Sequence, residues 1–392
     1  MDRRRFLTGV SALGLGGWLA QPRTGAASDG DDRRLDAVIV GGGASGLAAA
    51  WLLKDYRIRV LEAESVAGGR TIGGQWRRFH YAKGTEYIGE PEGALAAWID
   101  DLGLKALAIP PPTGGVAMNG RLWTGRDILG FLPGAARDDY ERAAERLEAL
   151  YEGGIGAAAD RGLGPGVVET GARVERIERA ADKEHPLRIH YVKAGRRNSL
   201  AARACVLTAP APIAAAVGEP VLSGSARRTL ASVPYAPYVT VNLMLERRVL
   251  HETWSVAAIG EIFVTLYDAL RTQVAADYRG PAVLGVYVAP EHAADRSLMA
   301  LSDRALVQRI VDGLERYVPG ITGLVIDADI QRFDYAFPVF DTGHTKRLLA
   351  LATDDSVAGP LVLAGDYMVY PTFDGAVESA VNAVDRLEEY FG

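Results

Sequence analysis

Cysteine is nearly missing from this chain of 392 residues, because Cys205 is the single one. An internal disulfide bond and a redox or metal site built on paired cysteines are therefore excluded. There is no basic excess either, since 43 Lys and Arg face 49 Asp and Glu and give a formal net charge of −6. We therefore expect no surface for nucleic acid, and the sequence suggests no metal site.

No strongly apolar segment at the N-terminus is long enough to span a bilayer. Arg3, Arg4 and Arg5 precede a mildly apolar stretch, Phe6–Ala20, and small residues follow as far as Ala27. This stretch is too short for a membrane span, but the order of its parts is typical of an export signal. It resembles a twin-arginine signal, whose route exports proteins already folded around a cofactor. We therefore predict a signal peptide over residues 1–27, a twin-arginine translocase as partner, and a periplasmic or secreted mature protein.

A glycine pattern stands at the start of the remaining chain, in the stretch DAVIVGGGASGLAAAWLL of residues 36–53. Gly41, Gly43 and Gly46 lie between a predicted buried strand and a predicted helix. The first glycine permits a tight turn, the second lets the backbone approach a pyrophosphate, and the third lets helix and strand pack closely. The helix N-terminus adds free N–H groups for the phosphates. The predicted elements are strand Leu35–Val40, helix Ala44–Leu53 and strand Arg57–Leu61, followed by Glu62, which can accept hydrogen bonds from ribose hydroxyls.

A second glycine pair follows Glu62 and favours FAD over NAD. Gly68, Gly69 and Arg70 come a few residues after the ribose-binding acid, within LEAESVAGGRT. Glycines again allow a close approach to phosphate, and arginine can contact the pyrophosphate. In these two motifs the chain resembles the flavin-containing amine oxidase superfamily, which includes monoamine and polyamine oxidases, protoporphyrinogen oxidase and the carotenoid desaturases.

Near the C-terminus, a predicted strand Leu361–Ala364 leads to Asp366, and a predicted helix covers Gly375–Leu387. The same resemblance implies that Asp366 accepts hydroxyls of the ribityl chain and that the helix directs its positive end beside Ala376 toward the flavin. It also implies that Val174 meets the adenine and that the stretch from Gly84 passes under the flavin ring. The cofactor-binding residues predicted in this way are Gly41, Gly43, Ala44, Ser45, Gly46, Glu62, Ala63, Gly69, Arg70, Gly84, Thr85, Val174, Asp366 and Ala376.

These segments predict an α/β protein with a discontinuous Rossmann-like FAD-binding domain and an α+β substrate domain built on a mixed sheet. The FAD-binding domain is expected over residues 35–89, 161–211 and 356–392, and the substrate domain over 90–160 and 212–355. The predicted substrate elements are helix Ala94–Leu102, a hairpin at Asn119-Gly120, helix Asp138–Tyr151, strands Val239–Leu245 and Leu284–Ala289, and helix Asp303–Tyr317.

The candidate catalytic residues are Thr240, His344, Tyr370 and Phe373. Many oxidases of the superfamily have a lysine, bonded through water to the flavin, where Thr240 or a neighbour stands here, and no lysine occurs between Lys193 and Lys346. His344 either caps a turn or transfers protons. Tyr370 and Phe373 either pack in the core or form an aromatic pair that faces the flavin and selects an amine.

We therefore expect an FAD-dependent oxidoreductase that moves a hydride from the carbon of a CH–NH substrate to flavin N5. Oxidation of a CH–CH bond in an apolar substrate, as in desaturases or protoporphyrinogen oxidase, is one alternative. A flavin-binding protein without turnover is another. The electron acceptor is expected to be a quinone, a cytochrome or oxygen, with slow reaction toward oxygen because the lysine is missing.

Overall fold

The structure, a computed structural model, describes residues 34–109, 114–124, 148–149 and 162–392. The predicted signal peptide and most of the predicted helix Asp138–Tyr151 lie outside these residues. The last part of that helix was predicted wrongly, because Glu148–Ala149 is a short strand.

Two large sheets and the helices packed on them account for most of the described residues. The strands are, in chain order, β1 (Arg34–Val40), β2 (Ile58–Leu61), β3 (Gly73–Trp76), β4 (Phe79–Ala82), β5 (Leu107–Ala108), β6 (Gly115–Met118), β7 (Arg121–Thr124), β8 (Glu148–Ala149), β9 (Val168–Glu169), β10 (Ala172–Arg179), β11 (Leu187–Lys193), β12 (Arg196–Leu207), β13 (Tyr235–Leu245), β14 (Ser255–Ala258), β15 (Thr265–Asp268), β16 (Ala282–Val288), β17 (Val325–Pro338) and β18 (Leu361–Leu363). The α-helices are α1 (Ala44–Leu52), α2 (Gly93–Asp101), α3 (Ala211–Val217), α4 (Gly224–Ala231), α5 (Asp303–Leu314), α6 (His344–Ala352) and α7 (Phe373–Phe391).

The first sheet has the strand order β10-β11-β12-β1-β2-β9, with β18 paired to β12. The pairs β1–β2, β1–β12 and β12–β18 are parallel, which brings the ends of β1, β2 and β18 to the same edge. Strand β1 is apolar and buried along most of its length because both faces of a parallel sheet are covered. The strands of this sheet come from the three segments predicted to hold the cofactor.

Helices α1 and α7 pack together against the first sheet in one apolar core. Their contact faces are rich in alanine, for example Ala48 and Ala49 of α1 and Ala380 and Ala383 of α7. Small side chains let the two helices approach closely. The N-terminal and C-terminal motifs are thereby brought to one place.

The second sheet has the order β17-β13-β16-β15-β14-β6-β7, and α5 packs on one face. Strand β13 pairs antiparallel with both β16 and β17. The hairpin predicted at Asn119-Gly120 is confirmed between β6 and β7, and both residues have positive φ, 53° and 75°, as a tight hairpin turn requires.

The predicted fold class is confirmed, although some element ends differ. Strand β13 begins at Tyr235, four residues before its predicted start, and α5 ends at Leu314 rather than Tyr317. None of the described helices combines the length and apolar character needed to cross a membrane. The division into a cofactor and a substrate domain stays a prediction.

Candidate functional site

The turn from β1 into α1 depends on two close backbone contacts. Gly41 has a φ of +109°, a conformation that favours glycine. A Cβ added to Gly46 would lie 1.9 Å from the carbonyl oxygen of Gly41, so no larger residue fits. The first and third glycines of the motif therefore shape the turn itself.

The N-terminus of α1 has space in front of it. A Cβ added to Gly43 would meet only Gly69 Cα, at 3.9 Å, and no described side chain caps the helix. The first N–H groups of such a helix are open to an anion. Ala44 begins the helix, and Ser45 Oγ lies 3.1 Å from Ser379 Oγ of α7.

Glu62 follows β2 and holds the first turn through backbone contacts. Its carboxylate accepts N–H bonds from Gly42 at 2.5 Å and from Glu64 at 2.8 Å. Burial raises the pKa of Glu62, and the two N–H donors oppose the rise. Ala63, the next residue, is exposed. The carboxylate is thus fixed beside the glycine turn, where ribose hydroxyls could donate to it.

The second glycine loop lies directly against the first. The N–H of Gly68 donates to the Gly42 carbonyl at 2.7 Å, and Gly68 forms a parallel bridge with Gly43. Gly69 has a φ of +58°, and a Cβ there would lie 3.1 Å from Gly43 Cα. The two loops predicted to approach phosphates therefore share one small region.

Arg70 joins this region to the C-terminal motif. Its Nη1 donates to Asp366 Oδ2 at 2.7 Å and also to the carbonyl oxygen of Ala336 in β17. The structure thus gives Arg70 a carboxylate partner, and its contact with a pyrophosphate stays a prediction.

The stretch from Gly84 is held from two sides. A Cβ on Gly84 would lie 2.1 Å from the Arg70 carbonyl oxygen, which accepts the N–H of Thr85 at 2.7 Å. On the other side, the Tyr287 hydroxyl donates to the Gly84 carbonyl at 2.5 Å, and Thr240 Oγ1 donates to the Lys83 carbonyl at 2.6 Å. The second sheet therefore fixes the backbone that the first sheet's loops contact.

The C-terminal helix begins earlier than predicted. Helix α7 starts at Phe373, and Thr372 Oγ1 caps it by accepting the Gly375 N–H at 3.1 Å. The N–H of Ala376 already bonds to the Thr372 carbonyl, so its own N–H is not free for a ligand. The start predicted at Gly375 was wrong because the capping threonine lies three residues before that glycine.

Five aromatic side chains meet beside the Gly84 stretch. We call Tyr87, Tyr238, Trp254, Tyr267 and Tyr287 the aromatic cluster. Their ring centroids are separated by 4.7 Å for Tyr267–Tyr287, 5.0 Å for Trp254–Tyr267, and 5.1 Å for both Tyr87–Trp254 and Tyr238–Tyr287. The cluster keeps an accessible side, since Tyr87 is 41% exposed.

Glu86 lies among these rings, 7% exposed. Its Oε2 is 3.3 Å from the Tyr287 hydroxyl. Burial raises the pKa of Glu86 to about 8, repulsion from Asp268 adds to the rise, and the Tyr287 hydroxyl opposes it. No basic side chain in the described part of the chain forms an ion pair with Glu86.

Comparison with known proteins identifies the family. Residues 72–387 match the family model described as flavin containing amine oxidoreductase, and residues 39–102 match the NAD(P)-binding Rossmann-like domain. The chain belongs to the flavin-containing amine oxidoreductase family. The predicted superfamily, the predicted cofactor FAD and the predicted class, a flavin-dependent oxidoreductase, are confirmed at this level.

Individual relatives of the family are similar over shorter stretches or in fold alone. The flavin-containing amine oxidase B of Canis lupus familiaris is 37% identical over 79 residues, 19% of this chain and 15% of that protein. Flavin-containing amine oxidase A of Sus scrofa is 37% identical over 78 residues, with the same coverage of 19% and 15%. The chain therefore matches about 15% of the length of these curated relatives.

Solved structures match nearly the whole fold. A putrescine oxidase bound to putrescine has a TM-score of 0.67 at 18% identity, covering 91% of this chain and 99% of that one. A structure assigned as a protoporphyrinogen oxidase from Exiguobacterium sp. 255-15 has a TM-score of 0.69 at 17% identity, covering 93% and 100%. At these identities the likeness concerns the fold.

The family's cofactor suits the residues described above. The space at Gly43, the uncapped start of α1 and the buried carboxylate of Glu62 fit the phosphates and ribose of FAD. Val174 is 8% exposed in the strand pair β10–β11, next to a register shift, and its adenine contact stays a prediction.

His344 supports the C-terminal motif in this structure. It is the first residue of α6, its ring stacks on Phe340 with centroids 3.6 Å apart, and its Nε2 lies 2.9 Å from the Tyr367 carbonyl oxygen. Burial lowers the pKa of His344. Since Tyr367 follows Asp366, the histidine contacts the backbone beside that carboxylate, and its catalytic role stays a prediction.

Tyr370 and Phe373 lie on either side of the start of α7. The Phe373 ring stacks on Trp98 of α2, with centroids 6.3 Å apart, and packs against the core. Tyr370 is 39% exposed. The described ring contacts do not bring Tyr370 and Phe373 together as a pair.

The resemblance places the missing lysine at Thr240 or a neighbour, and Thr240 is fully buried. Thr240 bonds to the backbone carbonyl of Lys83. The ammonium group of Lys83 forms an ion pair with Asp329 Oδ2 at 2.9 Å. The Tyr81 hydroxyl donates to the same Asp329 oxygen at 2.7 Å. The ammonium group of Lys83 is therefore paired with a carboxylate of β17.

Sequence reasoning missed Glu86 and most of the aromatic cluster. Glu86 stands inside a stretch recognised for its glycines alone, and the rings come from five separate segments. The clearest available signal was the presence of a tyrosine within an otherwise apolar strand, as for Tyr287 in β16.

Proposed function

We propose that this protein oxidises the CH–NH bond of an amine with FAD as its cofactor. The observation that carries the proposal is the position of the aromatic cluster, whose Tyr287 bonds to the Gly84 backbone, while Gly84 packs on Arg70. Aromatic faces favour cationic amines and polarised C–N carbons. A substrate in contact with these rings would thus lie beside residues that touch the cofactor-binding loops.

The residues assigned to FAD fall into three groups. Glu62 would accept ribose hydroxyls, and the N–H groups at the start of α1 would bind the pyrophosphate. Arg70 would also contact the pyrophosphate, while Asp366 would accept hydroxyls of the ribityl chain and the Gly84 stretch would support the flavin ring. When bound, FAD supplies the acceptor for the two electrons and the hydrogen removed from the substrate.

The chain's own residues then have positioning roles. The second sheet fixes the Gly84 stretch through Tyr287 and Thr240. Trp254, Tyr267 and Tyr287 of the aromatic cluster are buried, so a substrate held against these rings would be shielded from water, which strengthens electrostatic contacts. We assign no side chain as a general base, because a neutral amine can lose its hydrogen without one.

The test is anaerobic stopped-flow mixing of the purified yellow protein with a panel of amines. Bleaching of the flavin absorbance by amines, and not by uncharged alcohols of the same length, supports the proposal. Bleaching by an apolar CH–CH donor such as a porphyrinogen, with no response to any amine, would instead favour the desaturase-like alternative.

We further propose that the protein is exported folded through the twin-arginine translocase to the periplasm or beyond. The support is the sequence pattern at Arg3, Arg4, Arg5 and Phe6. Replacing the three arginines together by lysine should leave the precursor in the cytoplasm. Continued appearance of the mature form in the periplasm would disprove this route.

The acceptor of electrons from the reduced flavin is then proposed to be a quinone or a cytochrome.

A further inference from the structure

Glu86 is a buried acid that the cofactor-binding residues leave without a role. It lies two residues after Gly84, is 7% exposed, and forms no ion pair with any described residue. Buried carboxyl groups are normally paired or hydrogen-bonded. The one described polar contact of the Glu86 side chain is with the Tyr287 hydroxyl, so ionised Glu86 has no cationic partner among the described residues.

The contact between Glu86 and Tyr287 does not supply that partner. A hydroxyl has one hydrogen, and the shorter contact of the Tyr287 hydroxyl is to the Gly84 carbonyl, 2.5 Å against 3.3 Å to Glu86 Oε2. A protonated Glu86 can donate to the Tyr287 oxygen, whereas an ionised Glu86 competes with Gly84 for one hydrogen. The ionised form thus needs a cation.

The surroundings of Glu86 suit a cation of low hydration. The aromatic cluster offers ring faces and edges on several sides, and rings attract ammonium groups most strongly where water is excluded. Tyr87, the residue next to Glu86 in the chain, is 41% exposed, so the aromatic cluster reaches the protein surface. Carboxylate and rings together recognise an alkylammonium group better than either does alone.

We propose that Glu86 and the aromatic cluster form the binding site for a positively charged alkylammonium group of the substrate that is separate from the neutral amine being oxidised. This inference rests on the proposed function and narrows it, since it selects cationic amines over apolar CH–CH donors. Because the empty site holds Glu86 largely protonated at pH 7, binding of a cation displaces its proton into solvent. Affinity for the cation therefore rises with pH up to the pKa of Glu86 and is constant above it.

The other titratable groups near Glu86 are either paired with a cation or neutral in the pH range of interest. Those that interact with it are Tyr238 of β13, Tyr267 and Asp268 of β15, and Tyr287 of β16. Asp268 is paired with Arg248 at 2.5 Å. Burial raises the pKa of Tyr238, Tyr267 and Tyr287, so these tyrosines stay neutral below pH 9.

The test is calorimetric titration of the FAD-loaded protein with tetramethylammonium, a permanent cation that flavin cannot oxidise in the manner of a CH–NH amine. The uncharged control ligand is tert-butanol, which has a similar shape. In two buffers with different ionisation enthalpies, the wild type should bind tetramethylammonium and release about one proton at pH 7. Glu86→Gln should weaken binding about tenfold or more and abolish the proton release. Glu90→Gln, an exposed acid four residues away, should change neither.

The wild type alone also tests the inference if Glu86→Gln does not fold. Its Kd should fall by close to tenfold between about pH 6 and 7 and level off above about pH 8. Failure to bind tetramethylammonium, equal binding of tert-butanol, or a Kd independent of pH would overturn the inference. If amines still bleach the flavin in that case, the proposed function survives. If tetramethylammonium binds as expected and no amine bleaches the flavin, the proposed function fails and the cation site remains.

Discussion

Arg70 and Asp366 lie 296 positions apart in the chain, and Arg70 Nη1 donates to Asp366 Oδ2 at 2.7 Å. The Asp366 side chain is 5% exposed and that of Arg70 is 35% exposed. The pair therefore links the second glycine loop to the C-terminal motif across the cofactor-binding region. Because Asp366 is buried and has one strong partner, removing its charge should destabilise the folded protein.

We predict that Asp366→Asn lowers the free energy of unfolding by about 1–2 kcal/mol, a value reduced for the partial exposure of Arg70. FAD retention should fall as well, because the loop at Gly69 loses its anchor. Urea unfolding of the FAD-free protein measures the first effect. The control is Glu219→Gln, which breaks the exposed Arg227–Glu219 pair of 2.6 Å and should cost less than about 0.5 kcal/mol. Equal losses in both variants would contradict a special role for the Arg70–Asp366 pair.

Replacing Gly43 by alanine should weaken FAD binding, whereas replacing Gly46 by alanine should lower the stability of the fold. At Gly43 the added Cβ meets only Gly69 Cα at 3.9 Å, so Gly43→Ala should fold normally and yet bind FAD at least about tenfold more weakly. At Gly46 the added Cβ lies 1.9 Å from the Gly41 oxygen, so Gly46→Ala should cost about 2 kcal/mol or more of stability. Gly89→Ala, with nothing within 4 Å, is the matched control.

Thermal unfolding without FAD and fluorescence titration with FAD separate the two effects. A Gly43→Ala variant that loses stability as much as Gly46→Ala would show that the space in front of α1 serves folding. That result would argue against a phosphate site there.

Glu62 should couple FAD binding to pH. The pKa of Glu62 is raised in the folded protein by burial, and its ionised form is predicted to accept hydrogen bonds from ribose hydroxyls. As pH falls through this raised pKa the carboxylate is protonated, so FAD affinity should be lost at a higher pH than an exposed glutamate would cause. Glu62→Gln should weaken FAD binding by about 1.5–3 kcal/mol and remove this acid step.

Glu184→Gln is the control for Glu62, since Glu184 is exposed and its charge is not among those that shift the pKa of Glu62. Equilibrium dialysis of FAD from about pH 4 to 7 gives both affinity and pH dependence. An acid step that persists in Glu62→Gln would assign the titration to another group.

Much of the first sheet could be predicted from local sequence patterns. Strand β1, helix α1 and strand β2 lie within a residue of their predicted bounds, because a buried apolar run, a glycine turn and an alanine-rich helix are each defined by neighbours in sequence. Glu62 could be found for the same reason, as its distance from the first glycine is set by one βαβ unit.

Contacts between distant segments could not be predicted in this way. The aromatic cluster combines Tyr238, Tyr267 and Tyr287, and their proximity depends on the register of β13, β15 and β16. Periodicity identifies a strand but not its partners. The same limit applies to Asp329, whose pairing with Lys83 follows from the antiparallel alignment of β17 with β13.

The last prediction concerns the reaction of the reduced flavin with oxygen. The superfamily resemblance places a lysine at Thr240 or a neighbour, and the Thr240 hydroxyl already donates to the Lys83 carbonyl at 2.6 Å. Lys83 in turn pairs with Asp329 at 2.9 Å, so its charge is partly neutralised. Without a free ammonium group, negative charge that develops on oxygen is not stabilised, which typically costs about 10²–10³ in rate. We therefore expect the anaerobically reduced protein to be reoxidised slowly by air-saturated buffer and quickly by a quinone analogue, as followed by flavin absorbance.

Should oxygen react quickly, Lys83→Met would identify the cause, with Lys193→Met as the control because Lys193 pairs with Glu169 in the other sheet. A fast oxygen reaction that only Lys83→Met abolishes would mean that Lys83 has replaced the missing lysine, and one that survives both changes would refute the electrostatic argument.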